Sequence, residues 1–167
     1  MAIADLEEKL ESLAAEIVRV AGERGLTVST AESCTAGMVA SAIADIPGAS
    51  AVLRGGAVTY CDEIKHHVLG VSEETLAAHT AVSYETAREM ASGSRSLFSA
   101  DVAVSLTGYA GPGGGTPEDP AGTVYIGTCD NLLTESTRFT FEGTRNEVRV
   151  KAAVKALELV LSRLAVL

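Results

Sequence analysis

Short runs of β-branched and apolar residues alternate along this chain with longer amphipathic stretches, and that alternation restricts the fold more than any other feature. Leu26 to Thr30, Ala51 to Tyr60 and Val102 to Leu106 read as strands. Gly55-Gly56 within the second marks a bulge or a close backbone approach. Helices are predicted over residues 4–24, stopped by Gly25, and over Thr35 to Asp45, ended by Pro47-Gly48. Two shorter helices follow, one around Asp62–Leu69 and one from Ser72. Ser83 is placed to cap a longer one over Tyr84 to Phe98, with Glu85 favourable at its positive end. Gly122 to Thr128 and Glu135 to Glu142 predict a hairpin around Asp130-Asn131. Helices alternating with strands define an α/β domain, and the hairpin makes its sheet mixed.

The last helix opens on Thr144-Arg145-Asn146-Glu147, a capping box in which hydroxyl and carboxylate satisfy each other's exposed amides. Val150, Val154, Leu157, Leu161 and Leu164 then form a stripe that serves as a core face or as a subunit seam, and a homo-oligomer is expected. The 167 residues suit one domain, expected to span 1–167. With 13 basic and 22 acidic residues the chain carries a net charge of −9, which argues against non-specific binding to nucleic acid or anionic membrane. No signal peptide or membrane-span pattern is present, so a cytoplasmic location is expected. Cys34, Cys61 and Cys129 are odd in number and widely spaced, which indicates neither a disulfide framework nor a zinc site. His66, His67 and His79 form no metal-ligand pattern, so neither metal nor cofactor is expected.

Four segments carry residues suited to chemistry. In Thr30-Ala31-Glu32-Ser33-Cys34-Thr35-Ala36-Gly37, a strand passes into a helix, where backbone amides gather at a positive dipole end. Ser33 is a candidate nucleophile there, with Thr35 and Gly37 as candidate substrate contacts; a plain capping role for Ser33 or Thr35 is the alternative. In Thr59 to Lys65, a partly desolvated Lys65 would have a lowered pKa and could serve as the base, with Tyr60 relaying a proton or donating to an oxyanion. The alternative is a surface lysine beside a half-buried tyrosine. Residues 108–122 hold six glycines and three prolines after a buried strand. Gly108, Gly111, Gly113 and Gly114 let backbone approach an anion, although no Walker or dinucleotide fingerprint is present. Arg145, at the start of the last helix, is a candidate phosphate contact.

Together these pieces resemble the CinA C-terminal domain family, also called the nicotinamide-nucleotide amidase (PncC) family. The resemblance rests on TAESCTAG at 30–37, DIPGAS at 45–50, GAVTYCDEIKHHVLGV at 56–71 and LAAHTAVS at 76–83. It continues through VAVSLTGYAGPGGGTPEDPAGTVYIG at 102–127 and F-x-G-x-R at 141–145, covering about residues 5–165. It implies a three-layer α/β/α fold and metal-free deamidation of nicotinamide mononucleotide to nicotinate mononucleotide and ammonia. Residue by residue, it implies Ser33 as nucleophile, Tyr60 and Lys65 in proton transfer, and Thr107 as a further active-site hydroxyl. The Gly-rich loop and Arg145 would contact the ribose phosphate, and amides at the head of the 35–45 helix would hold the oxyanion. Ala36 stands where the family usually has Gly, and Tyr109 where Ile is usual. The molybdopterin-binding-like domain of longer relatives has no counterpart in these residues. A non-catalytic nucleotide-binding module and an amidase of a different small amide are the rival readings.

Overall fold

The computed structural model describes residues 2–167. Five strands, β1 (Val28–Glu32), β2 (Leu53–Val58), β3 (Val102–Gly108), β4 (Thr123–Cys129) and β5 (Thr134–Thr140), form one sheet in the order β2-β1-β3-β4-β5. The β2, β1 and β3 strands run parallel, whereas β4 and β5 join antiparallel, so the sheet is mixed. The described residues also form six α-helices: α1 (Ile3–Arg24), α2 (Met38–Ala44), α3 (Asp62–Leu69), α4 (Glu73–His79), α5 (Tyr84–Phe98) and α6 (Arg145–Leu164).

Alternation along the strands sorts two faces. Val28, Val102, Val104, Leu106, Val124 and Ile126 point toward α1, α2 and α6 and form the main core with Ile17, Ile43 and Leu157. The other face is lined by small residues, so α5 packs close to the strands. Ser105 Oγ donates to the Ala87 carbonyl at 2.5 Å, and Ser29 Oγ lies 2.9 Å from Ser94 Oγ. A Cβ at Gly127 would sit 2.3 Å from the Ala87 oxygen, which explains glycine there. The α6 stripe belongs to the core: Val150, Val154, Leu157 and Leu164 are buried within one chain, and Leu161 packs partly buried against them.

Several boundaries differ from the sequence reading: β3 runs two residues past Leu106 to Gly108, β5 stops two residues short of Glu142 at Thr140, and three more differences lie earlier in the chain. The first strand lies at Val28–Glu32, two residues later than expected, because Leu26 N–H closes the α1 C-terminus on the Ala21 carbonyl and Thr27 pairs with Asp101 and Val102. The second strand is trimmed to Leu53–Val58, since Ala49–Ala51 form a 3₁₀ turn and Thr59 continues only as a single bond to the Glu32 carbonyl. The bulge falls at Arg54, just before the two glycines, where the register skips a residue between Val28 and Ser29, and the Phe98 ring covers Gly55 where a Cβ would clash at 2.5 Å. The third difference is at the expected 35–45 helix. It begins at Met38, because Ala36 and Gly37 both take left-handed backbone conformations, with φ of 51° and 93°.

The connections place the site. After β1 the chain passes through α2 to β2 on one side, and after β2 it returns over the opposite face through α3, α4 and α5 to β3. Beyond β3 it turns away from β1 into the Gly-rich loop. The carboxyl ends of β1 and β3 therefore border a crevice where the connections diverge, the position that ligands occupy in open α/β sheets.

Candidate active site

Ser33 follows β1 directly. Its amide donates to the Leu106 carbonyl at 2.9 Å, extending the β1–β3 ladder by one residue, and its own carbonyl accepts from Ala36 N–H at 3.1 Å. The nucleophile candidate thus sits on a tight turn, nearly buried, at the mouth of the crevice. Thr107, one strand over on β3, is also buried, and its Oγ1 donates to the Ala81 carbonyl at 2.6 Å.

Lys65 arrives from the opposite face. Cys61 is the N-cap of α3, and Lys65 lies one helical turn into it, on the buried side with Leu69. Its side chain is only 1% exposed and forms no salt bridge among the described residues. Nζ lies 3.0 Å from Ser33 Oγ and 2.8 Å from the Thr59 carbonyl oxygen. Burial pushes the Lys65 pKa below the usual lysine value, opposed in part by the nearby Asp62 carboxylate. Nζ donates to both oxygens here; a lysine that has lost its proton would keep the bond to Thr59 and offer its lone pair to the Ser33 hydroxyl. The neighbouring Cys34 thiol is a poor competitor as nucleophile, because burial pushes its pKa up to about 11.

A cavity of about 230 Å³ opens over this pair. Ser33, Lys65, Thr107, Gly108, Gly113, Tyr60 and Arg145 all line it, with Cys34, Asp62, Ala81, Val82, Tyr109 and Ala110 completing the wall. Tyr60 lies at the rim, 58% exposed. Its hydroxyl accepts from Arg145 Nη2 at 3.0 Å and makes no hydrogen bond to Ser33 or Lys65. Arg145 also donates from Nη1 to the Gly111 carbonyl at 2.9 Å, which anchors the Gly-rich loop to the start of α6. That loop is pinned at its neck by Tyr109 and Gly122, and at its far end Asp119 accepts from Tyr125 and Arg138. Gly111 and Gly114 are not in the cavity wall.

Thr35 and Gly37 also lie outside it. They border a separate surface groove with Leu10, Met38 and Arg149 on the other side of the turn. The amides expected to hold an oxyanion are occupied: the fully buried Glu32 carboxylate accepts from Gly37 and Val39 at 3.1 Å and from Ala40 at 2.9 Å. Neither Ser33 nor Thr35 caps α2; Glu32 does so from the preceding strand. The Cys34 and Thr35 amides, by contrast, donate to no backbone carbonyl among the described residues. Glu32 lies inside the 30–37 motif without a role in the sequence reading, and Arg149 lies outside the motifs. Strand alternation puts Glu32 on the α2 face with Val28 and Thr30, and Arg149 lies one turn beyond Arg145.

The histidines are outside this cluster. His66 Nδ1 is 2.7 Å from the Val71 carbonyl, His67 is exposed, and His79 faces Glu85. No helix among the described residues is long and apolar enough to cross a membrane.

The sequence profile of the CinA C-terminal domain matches residues 10–164. A CinA-like protein of Thermotoga maritima is 45% identical over 152 residues, which are 91% of this chain and 36% of that protein. One of Endomicrobium trichonymphae is 48% identical over 154 residues, 92% of this chain and 36% of the relative. The chain therefore spans about a third of the length of these relatives. Among solved structures, the competence/damage inducible protein CihA from Agrobacterium tumefaciens superposes with a TM-score of 0.90 at 40% identity, covering 92% of this chain and 94% of that one. The competence damage-inducible protein A from Klebsiella pneumoniae gives 0.90 at 42% identity, covering 93% and 97%. With sequence profile, relatives and fold in agreement, this chain belongs to the CinA C-terminal domain family.

Proposed function

We propose that this protein is a serine amidase that hydrolyses the carboxamide of nicotinamide mononucleotide. The observation that carries the reading is the buried Ser33–Lys65 pair, 3.0 Å apart at the base of a crevice. A hydroxyl needs a base to become a nucleophile at neutral pH, and a desolvated lysine without a carboxylate partner supplies one. Ser33 Oγ attacks the carboxamide carbon while its proton passes to Lys65 Nζ. The oxyanion faces the free amide of Cys34, the residue after the nucleophile, in the manner of other nucleophile turns. The C–N bond then breaks, and the leaving nitrogen takes the proton from Lys65 and departs as ammonia. Water attacks the Ser33 ester while Lys65 accepts its proton; the C–Oγ bond breaks, Ser33 Oγ takes that proton back from Lys65, and the acid is released.

The geometry suits a substrate whose amide enters the cavity while its remainder stays outside. A volume of about 230 Å³ is below the range of about 300–1,000 Å³ of pockets that enclose a whole ligand of drug size. The rim carries Arg145 and Tyr60, suited to a phosphate, and Thr107 lies beside the reacting centre. Tyr109 in the same wall favours a second reading, amidase chemistry on a different small carboxamide.

Incubation with nicotinamide mononucleotide should release one ammonia per nicotinate mononucleotide, and Ser33→Ala should abolish release. Undiminished activity in Ser33→Ala would sink the nucleophile assignment. Binding of the nucleotide without turnover would favour a non-catalytic module, and turnover of other carboxamides alone would move the substrate assignment.

A further inference from the structure

We infer that Arg149 is a positioning residue that sets the oxyanion-binding amides of the Ser33 turn. The inference rests on the serine-amidase reading of this site and gives a role in it to a residue outside the motifs at 30–37 and 141–145. Arg149 stands four residues after Arg145 on α6, so both face the loops at the sheet's carboxyl end. Arg145 serves the rim of the cavity. Arg149 instead reaches the back of the turn, where Nε donates to the Cys34 carbonyl at 3.0 Å and Nη2 to the Thr35 carbonyl at 2.9 Å. One edge of a planar guanidinium thus spans two successive carbonyls. An ammonium, a single point of charge on a flexible stem, does not fix two acceptors in the same way.

The consequence follows from peptide planarity. In a trans peptide the C=O and the next N–H point in opposite directions. Holding the Cys34 carbonyl toward α6 turns the Thr35 N–H away from Arg149. The Ser33 carbonyl is held by Ala36 N–H, which in the same way fixes the Cys34 N–H. Neither amide makes a backbone–backbone hydrogen bond among the described residues, whereas the donors of Gly37, Val39 and Ala40 are tied to Glu32. Glu32 and Arg149 therefore divide the turn between them. Glu32 occupies the helix amides and Arg149 the carbonyls, leaving the Cys34 and Thr35 donors untied by the backbone, with Cys34 in the cavity wall. The guanidinium also places a positive charge close enough to act on the Cys34 thiol, where it would favour a developing oxyanion. Arg149 is not part of the wall of the Ser33 cavity, so it acts through the turn and not on the substrate.

The test compares wild type, Arg149→Met and Arg149→Lys for ammonia release, thermal midpoint and backbone dynamics by ¹⁵N relaxation. Arg149→Met should fold and bind substrate with little change in KM. Its kcat should fall about a hundredfold, the scale expected of a misplaced catalytic geometry. Cys34 and Thr35 should lose backbone order while Glu32 does not. Arg149→Lys should recover only part of kcat, and millimolar guanidinium should restore activity to Arg149→Met. A folded Arg149→Met with unchanged kcat, or a loss explained wholly by unfolding with wild-type kcat per folded molecule, would overturn the inference. Should Arg149→Met not fold, Arg149→Lys with guanidinium-independent full activity would do the same. If the wild type releases no ammonia, the amidase reading fails by itself, and unchanged order at Cys34 and Thr35 in either folded variant separately overturns the role of Arg149.

Discussion

Lys65 shows how a residue acquires a chemical role from its surroundings. Its sequence neighbours Asp62 and Glu63 suggest an ordinary surface turn, yet the first turn of α3 carries its side chain inward, to 1% exposure, against Ser33. The expected sign of its titration follows. Burial lowers the folded-state pKa below the ordinary lysine value of 10.5. Between the two values the unfolded chain binds more protons, so this group's contribution to stability rises with pH across that window. The active form is the neutral amine, so kcat/KM should rise with pH through the same lowered pKa. Lys65→Met should cost roughly a thousandfold in kcat, within the usual range for loss of a general base, and should erase the acidic limb. A pH profile of ammonia release checks both; a limb retained in Lys65→Met would assign it to another group. Ser33, Lys65, Thr107, Gly108, Gly113 and Arg145 were legible as site candidates because strand ends and glycines bring them to one edge. Thr35, Gly37, Gly111 and Gly114 were placed by proximity in sequence, and the turn and loop carry them away from the cavity.

At the scale of elements, the turn between β1 and α2 departs furthest from the sequence reading. Periodicity alone extends the helix back to Thr35, since it is blind to backbone sign. The chain instead needs two left-handed residues, and only Gly37 is suited to one. Ala36, at φ 51°, carries the strain of a Cβ in that region. Ala36→Gly should therefore stabilise the protein by about 1 kcal/mol, a rise of roughly 2–4 °C in thermal midpoint for a chain of this size. Calorimetry checks it, and a lowered midpoint would mean that the turn is not strained there. Glu32 explains why this tight turn holds: three N–H groups converge on one buried carboxylate, which no propensity scale anticipates. The α6 capping box was readable in full, because both of its bonds are local.

For the whole molecule, the α6 stripe had two possible roles, core and seam. It packs against α1 and the β3–β4 face, with Leu157 and Leu164 fully buried in one chain. Leu157→Glu would bury an unpaired charge, and such substitutions are among the most destabilising known, at roughly 4 kcal/mol or more. It should abolish cooperative unfolding seen by circular dichroism. A folded variant of reduced oligomeric size would instead assign the stripe to an interface. Alternating strand and helix patterns made the layers legible, since right-handed crossovers leave few ways to arrange them. The sheet order and the two-sided assembly of the site, with Ser33 from one crossover and Lys65 from the next, depend on contacts distant in sequence that periodicity does not carry.

A covalent bond at Ser33 is the step on which the proposed chemistry depends. Enzyme mixed with nicotinamide mononucleotide, quenched within a turnover and digested, should yield the Ser33 peptide carrying the nicotinoyl mononucleotide ester, with a burst of ammonia equal to the enzyme present. An acyl group on any other residue, or ammonia release with no acylated peptide at any quench time, would contradict it.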